Sequence, residues 1–183
     1  MAATDLAQPD NEAVSYNGVS FPKVIGDGRR ISARDRDVTE LAGLGFEALY
    51  VHGEADTRVQ IYNLNKFKIP NDLRGPLATR EFNSVKNSIL RTRSGGQDVR
   101  PEREFTIADA RQVPRMVCAP YVIAQGHMTV SGSEVSGPSD FYVCLGVVNG
   151  KFFKTSTRMS HRPDSEAEQR RFIGAWINHI WKS

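Results

Sequence analysis

"FYVCLGVVNGKFFKTSTRM", from Phe141 to Met159, decides how this chain folds. Asn149-Gly150 separates two strand-like runs. A two-residue type I′ turn needs positive φ at both central positions, which Asn and Gly tolerate, so the stretch is read as a β-hairpin. Its first arm is apolar on both faces and is expected at the centre of a sheet. Along the second arm, Phe153, Thr155 and Thr157 share a face with Lys151, while Phe152, Lys154 and Arg158 take the other.

Downstream, "PDSEAEQRRFIGAWINHIWKS" reads as a long C-terminal helix. Phe172, Trp176 and Ile180 recur at four-residue steps, beside Ile173, Ile177 and Trp181, and make a wide apolar face. Ser165 and Glu168 have the spacing of a capping box. Upstream, Ala78, Phe82, Val85 and Ile89 mark a second amphipathic helix over 76–93. "GLGFEALYVHGEADTRVQIYNL" reads as a hairpin with a "GEAD" loop. "EFTIADARQV" and the run from Met116 to Gln125, kinked at Pro120, read as strands. "HMTVSGSEVSGPSD" reads as a long hairpin loop, or as a loop with a short edge strand in "MTV". "VSYNGVSFPKVIG" is expected to be an edge strand interrupted at Pro22, followed by a polar strand in "RRISARDRDVT". Residues 1–14 are expected to be a disordered tail and 15–183 a single α+β domain.

Composition sets outer limits. A chain of 183 residues with 39% hydrophobic and 25% charged side chains has the length and balance of one globular domain. A net charge of +3 and a pI near 9.0 are too mildly basic for a dedicated nucleic-acid binder. The mixed "RDRD" at 34–37 reads as a solvated strand face. No apolar run reaches the roughly 20 residues of a membrane span. "MAATDLAQPDNEAV" has the small, polar, alanine-rich character of an exported chain after its signal peptide is removed; the competing expectation is a cytoplasmic protein.

The chemistry-bearing residues form no recognised motif. His52, His127, His161 and His179 stand singly, and neither a metal nor a cofactor is expected. A hydrolase whose site converges from distant residues would need a close His–carboxylate pair in a deep pocket. Cys118 and Cys144 lie in apolar runs; they are either buried free thiols or, in an exported chain, a disulfide. The candidate binding residues are Lys151, Lys154 and Arg158, whose clustered charge attracts an anionic partner, and His127 at the start of the Ser/Gly loop.

The order of elements resembles the PsbP-like α/β/α sandwich: strand and hairpin, helix, meander, long terminal helix. "GLGFEALYVHGEADTRVQIYNLNKFKIPND" and "GKFFKTSTR" are also similar to a pattern in uncharacterised exported bacterial proteins. The resemblance implies an antiparallel sheet covered by a middle and a C-terminal helix, and a non-enzymatic adaptor or assembly role. The function expected from it is binding of another protein in the periplasm, or assistance to envelope assembly. The alternative is a cytoplasmic secretion chaperone that clasps an apolar client helix.

Overall fold

The structure, a computed structural model, describes residues 13–66, 68–93, 98–124, 127–130 and 133–181. The expected tail therefore falls mostly outside the described residues, and Val14 already belongs to the first strand, β1 (Val14–Tyr16). The remaining strands are β2 (Val19–Phe21), β3 (Val24–Ile25), β4 (Gly28–Asp35), β5 (Phe46–His52), β6 (Ala55–Tyr62), β7 (Val99–Pro101), β8 (Phe105–Ala108), β9 (Pro114–Ile123), β10 (His127–Val130), β11 (Ser133–Ser136), β12 (Ser139–Val148) and β13 (Lys151–Ser160). The helices are α1 (Arg36–Thr39), α2 (Pro76–Arg93) and α3 (Ser165–Ile180).

The hairpin expected at Asn149-Gly150 is β12–β13. Both turn residues have positive φ, 50° and 74°, as the type I′ geometry requires. It lies inside a nine-stranded antiparallel sheet of order β3-β4-β5-β6-β13-β12-β9-β7, with β8 also on β9. The doubly apolar β12 is central because every side chain it carries, on either face, can be buried there. The α+β class follows directly: α3 covers one face of the sheet and α2 part of the other.

Under α3, Phe21, Phe46, Tyr50, Ile61 and Phe153 pack around Phe172, Ile173, Trp176 and Ile177. Trp176 is the hub, edge-on to Tyr50 at 5.3 Å and tilted against Phe153 at 5.4 Å. Under α2, Ala78 and Phe82 meet Tyr62, Tyr121, Val143, Leu145 and Phe152. Cys118 and Cys144 face each other across β9 and β12, both fully buried, and are joined by a disulfide. Among the described residues no helix is long and apolar enough to cross a membrane.

Four local expectations are corrected. Asn17-Gly18, with φ of 49° and 75°, turns a separate hairpin between β1 and β2 where a single interrupted strand was expected. The "GEAD" loop shortens to Gly53-Glu54, because Ala55 is fully buried and pairs with His52. The Ser/Gly segment forms the β10–β11 hairpin. Pro120 sits inside β9, where the outer partner changes from β8 to β7, so its missing N–H interrupts neither of those ladders.

The capping box is the fifth departure and the one with consequences. Asp164 occupies the N-cap of α3 without a side-chain cap bond. The Ser165 hydroxyl instead accepts the Arg162 N–H at 3.1 Å and donates to the Ser160 carbonyl. Glu168 is thereby released from the helix end and turns inward.

Candidate functional site

Strand alternation gives β5 two unlike edges of chemistry. Phe46, Ala48, Tyr50 and His52 point toward α3, whereas Glu47, Leu49 and Val51 point to the other face. The register carries that second face onward through Arg34 of β4, Gln60 and Arg58 of β6, and Lys154, Ser156 and Arg158 of β13. The apolar cluster under α2 draws on β9, β12, Phe152 and Tyr62, and stops there. Beyond it the sheet face is charged, and among the described residues neither α2 nor α3 packs over it, while the short α1 supplies Arg36 at its edge.

Glu47 organises this half. Its side chain is only 9% exposed, yet Arg34 and Arg58, which grip it, are 55% and 57% exposed. Oε1 accepts from the Arg34 guanidinium at 3.0 and 3.2 Å, and Oε2 accepts from Gln60 Nε2 at 2.6 Å. Arg58 and Arg36 close in on Oε2 at 3.5 and 3.8 Å. Glu40 ties Arg34 and Arg36 together from the exposed side. Arg34, Arg36, Arg58, Lys154 and Arg158 outnumber Glu40, Glu47 and Asp56, and Glu81 of α2 lies at the rim hydrogen-bonded to Tyr62. The excess charge is positive, and a low-dielectric floor of Leu49 and Val51 strengthens its reach.

Lys154 is half-buried within this group, its ammonium 5.2 Å from the centre of the Tyr62 ring. Burial lowers its pKa, Arg36 and Arg58 push the same way, and Glu81 and Glu47 oppose them.

A second polar cluster occupies the opposite face, under the first turn of α3. His52 Nε2 lies 2.8 Å from the Thr57 hydroxyl, which lies 2.8 Å from that of Thr157. His52 Nδ1 is 3.4 Å from Glu168 Oε1, and Arg162 binds the other carboxylate oxygen. The Phe172 ring stacks on the imidazole at 4.0 Å. Gly53 has a φ of +52°, and a Cβ there would sit 2.7 Å from Glu168 Oε1, so glycine is needed for the lid over this cluster.

Hydroxyl, imidazole and carboxylate thus stand in the order a hydrolase triad uses. The Thr57 hydroxyl, however, is fully buried and bonded to Thr157, and His52 is 1% exposed. Two surface depressions run along α2, one lined by Arg74, Arg80 and Arg91, the other by Lys86, Glu104 and Tyr121. Neither reaches His52. Burial pushes the imidazole down to about 4 and raises the Glu168 carboxyl, with Arg162 opposing the latter. This cluster is a packed structural element.

The candidates from sequence are separated by the fold. Lys154 and Arg158 share the helix-free face, as alternation required. Lys151 lies on the other face, 5.8 Å from the Tyr16 ring centre, and does not join them. His127 heads β10, and its side chain lies outside the described residues. Arg34, Arg36, Glu47 and Arg58 were missed. The one available signal was the charge in "RDRD", whose partners are a strand away.

No protein-family model matches the chain, and no curated protein sequence matches it. Among solved structures, the cyanobacterial PsbP of Synechocystis sp. PCC 6803 is similar at 9% identity, over 96% of both chains, with a TM-score of 0.45. A Mog1 variant and the Saccharomyces cerevisiae Ran-binding protein Mog1p are similar at 10% and 11% identity, each over 94% of this chain and 93% of theirs, with TM-scores of 0.39. The likeness is a weak PsbP-like match of fold, and it says nothing of ligands or partners.

Proposed function

We propose that this is an exported, non-enzymatic protein of the bacterial periplasm that binds another protein through the helix-free half of its sheet, as an adaptor in envelope assembly. The observation that carries the reading is the cation excess on that face, held in place by the buried Glu47. Fixed charges on a rigid sheet steer and orient an acidic partner with little ordering cost on binding. The Cys118–Cys144 disulfide supports the compartment, since such bonds persist in oxidising spaces and are rare in the cytosol.

A cytoplasmic adaptor clasping an apolar client helix is the second reading. It requires an exposed apolar sheet face and free thiols, and both the charged face and the bonded cysteines weigh against it.

The test joins location to charge. The native gene product is fractionated, and tagged protein is used to capture partners from envelope extract alongside the Arg58→Glu/Arg158→Glu variant. Periplasmic recovery and a captured protein lost in the variant are expected. Cytosolic recovery, or capture unaffected by the charge reversal, overturns the reading.

A further inference from the structure

Among the described residues, the helix-free face holds a half-buried cation that touches no carboxylate. Lys154 lies between Gln60 of β6 and Leu145 of β12 in the ladder, so its side chain rises from the middle of the sheet. The nearby carboxylates of Glu81 and Glu47 attract Lys154 from a distance but bond to other groups. Glu81 Oε1 accepts the Tyr62 hydroxyl at 2.6 Å, and both oxygens of Glu47 are taken by Arg34, Gln60 and Arg58. Among the described residues, Lys154 has an aromatic ring for company and makes no ion pair and no side-chain hydrogen bond.

That arrangement is the reverse of what stability favours. An ammonium half-withdrawn from water loses hydration that a ring face restores only in part. Glu81 and Glu47 attract it from a distance, while Arg36 and Arg58 nearby offset that attraction with repulsion. An apolar residue of similar length would fill the same slot on the sheet without either cost. A partly exposed site that keeps three ammonium donors there without a bonded acceptor is arranged for an acceptor that arrives from outside.

We infer that Lys154 anchors a carboxylate-binding site, taking one Glu or Asp side chain of the partner protein, with Arg36 and Arg58 sharing the charge at its rim. The inference rests on the protein-binding reading of this face. A lysine suits the role because it is a compact point charge, whereas the surrounding arginines are committed to Glu47.

The probe is N-acetyl-hexaglutamate, titrated at low salt into the full chain while lysine side-chain ammonium groups are followed by NMR. The Lys154 signal should shift and saturate. Lys154→Met should weaken peptide binding at least tenfold, and Lys151→Met, on the opposite face, should change it less than twofold. The thermal midpoint of Lys154→Met should equal or exceed that of the native protein, since a half-buried charge with no bonded partner has been removed. Equal affinity of Lys154→Met, or a midpoint several degrees lower, overturns the inference. A matching Lys154 shift with acetate at the same concentrations overturns the protein carboxylate in favour of a small anion. If Lys154→Met keeps peptide binding and Arg58→Glu/Arg158→Glu loses it, the Lys154 anchor fails and the binding face survives. Equal binding by all variants removes both.

Discussion

Glu47 and His52 belong to the same strand, and each gathers a polar cluster, but the two clusters are opposite in kind. The one under α3 is sealed: a stacked Phe172, a glycine lid and two threonine hydroxyls leave His52 1% exposed. The one around Glu47 is open, with a buried acid at its root and guanidinium groups reaching solvent. The sealed cluster has catalytic residue types in catalytic order and no approach for a substrate. The open one has no catalytic order and every approach. Residue identity and mutual distance are therefore weaker guides to function here than access.

Substitutions can break this contrast, and the sealed side should respond most. Phe172→Ala removes the ring above His52 and part of the contact with Tyr50, and is expected to cost about 3–5 kcal/mol in urea unfolding. A loss near 1 kcal/mol would mean that the cluster is less tightly closed than described. Replacing both Cys118 and Cys144 by Ala opens a loop of 26-residue separation, for which chain entropy gives about 3.5 kcal/mol. Unchanged stability, or free thiols in the unreduced native protein, would contradict the bond.

Acid should act on two groups of the sealed cluster with opposite sign. His52 is held down to about 4 against an ordinary 6.5. Between those values the unfolded chain binds a proton that the folded chain refuses. Stability present above about pH 6.5 is thus lost as the pH falls toward 4, by on the order of 2–3 kcal/mol. Glu168 works the other way, because its raised carboxyl is relieved of charge on acidification, and this reduces the net loss. His52→Gln should flatten the profile between pH 7 and 4.5; a profile identical to that of the native protein would exclude His52 as its source.

The open side should respond least in stability. Glu47→Gln leaves Arg34, Arg36 and Arg58 without their shared acid and should cost about 1 kcal/mol, given how far two of the arginines reach into water. A larger loss, of the size seen at Phe172, would place Glu47 with the core.

Much of the frame was legible because local chemistry specified it. Asn149-Gly150 gave a hairpin, the stripe from Ala78 to Ile89 gave α2 with its bounds, and alternation in β13 placed Lys154 and Arg158 together. The same signal at Asn17-Gly18 is weaker, since its flanking runs are three residues each and Pro22 ends the second. The Ser165/Glu168 spacing satisfied a local rule, yet Arg162 and His52 drew Glu168 inward, and that competition exists only once β5 and α3 are packed. The Glu47 cluster was hidden for a related reason. Its members lie on α1, β4, β5 and β6, and only strand register brings them into contact.

The central claim is that the helix-free half of the sheet, and not the outer surface of α2, is where another protein binds. A photo-crosslinking residue is placed at Ser156 on that face and, separately, at Ser84 on the outside of α2, in protein expressed in its native cell. A discrete crosslinked partner is expected from position 156, lost on adding Arg58→Glu/Arg158→Glu, and none from position 84. A partner crosslinked from position 84 and not from position 156 would contradict it.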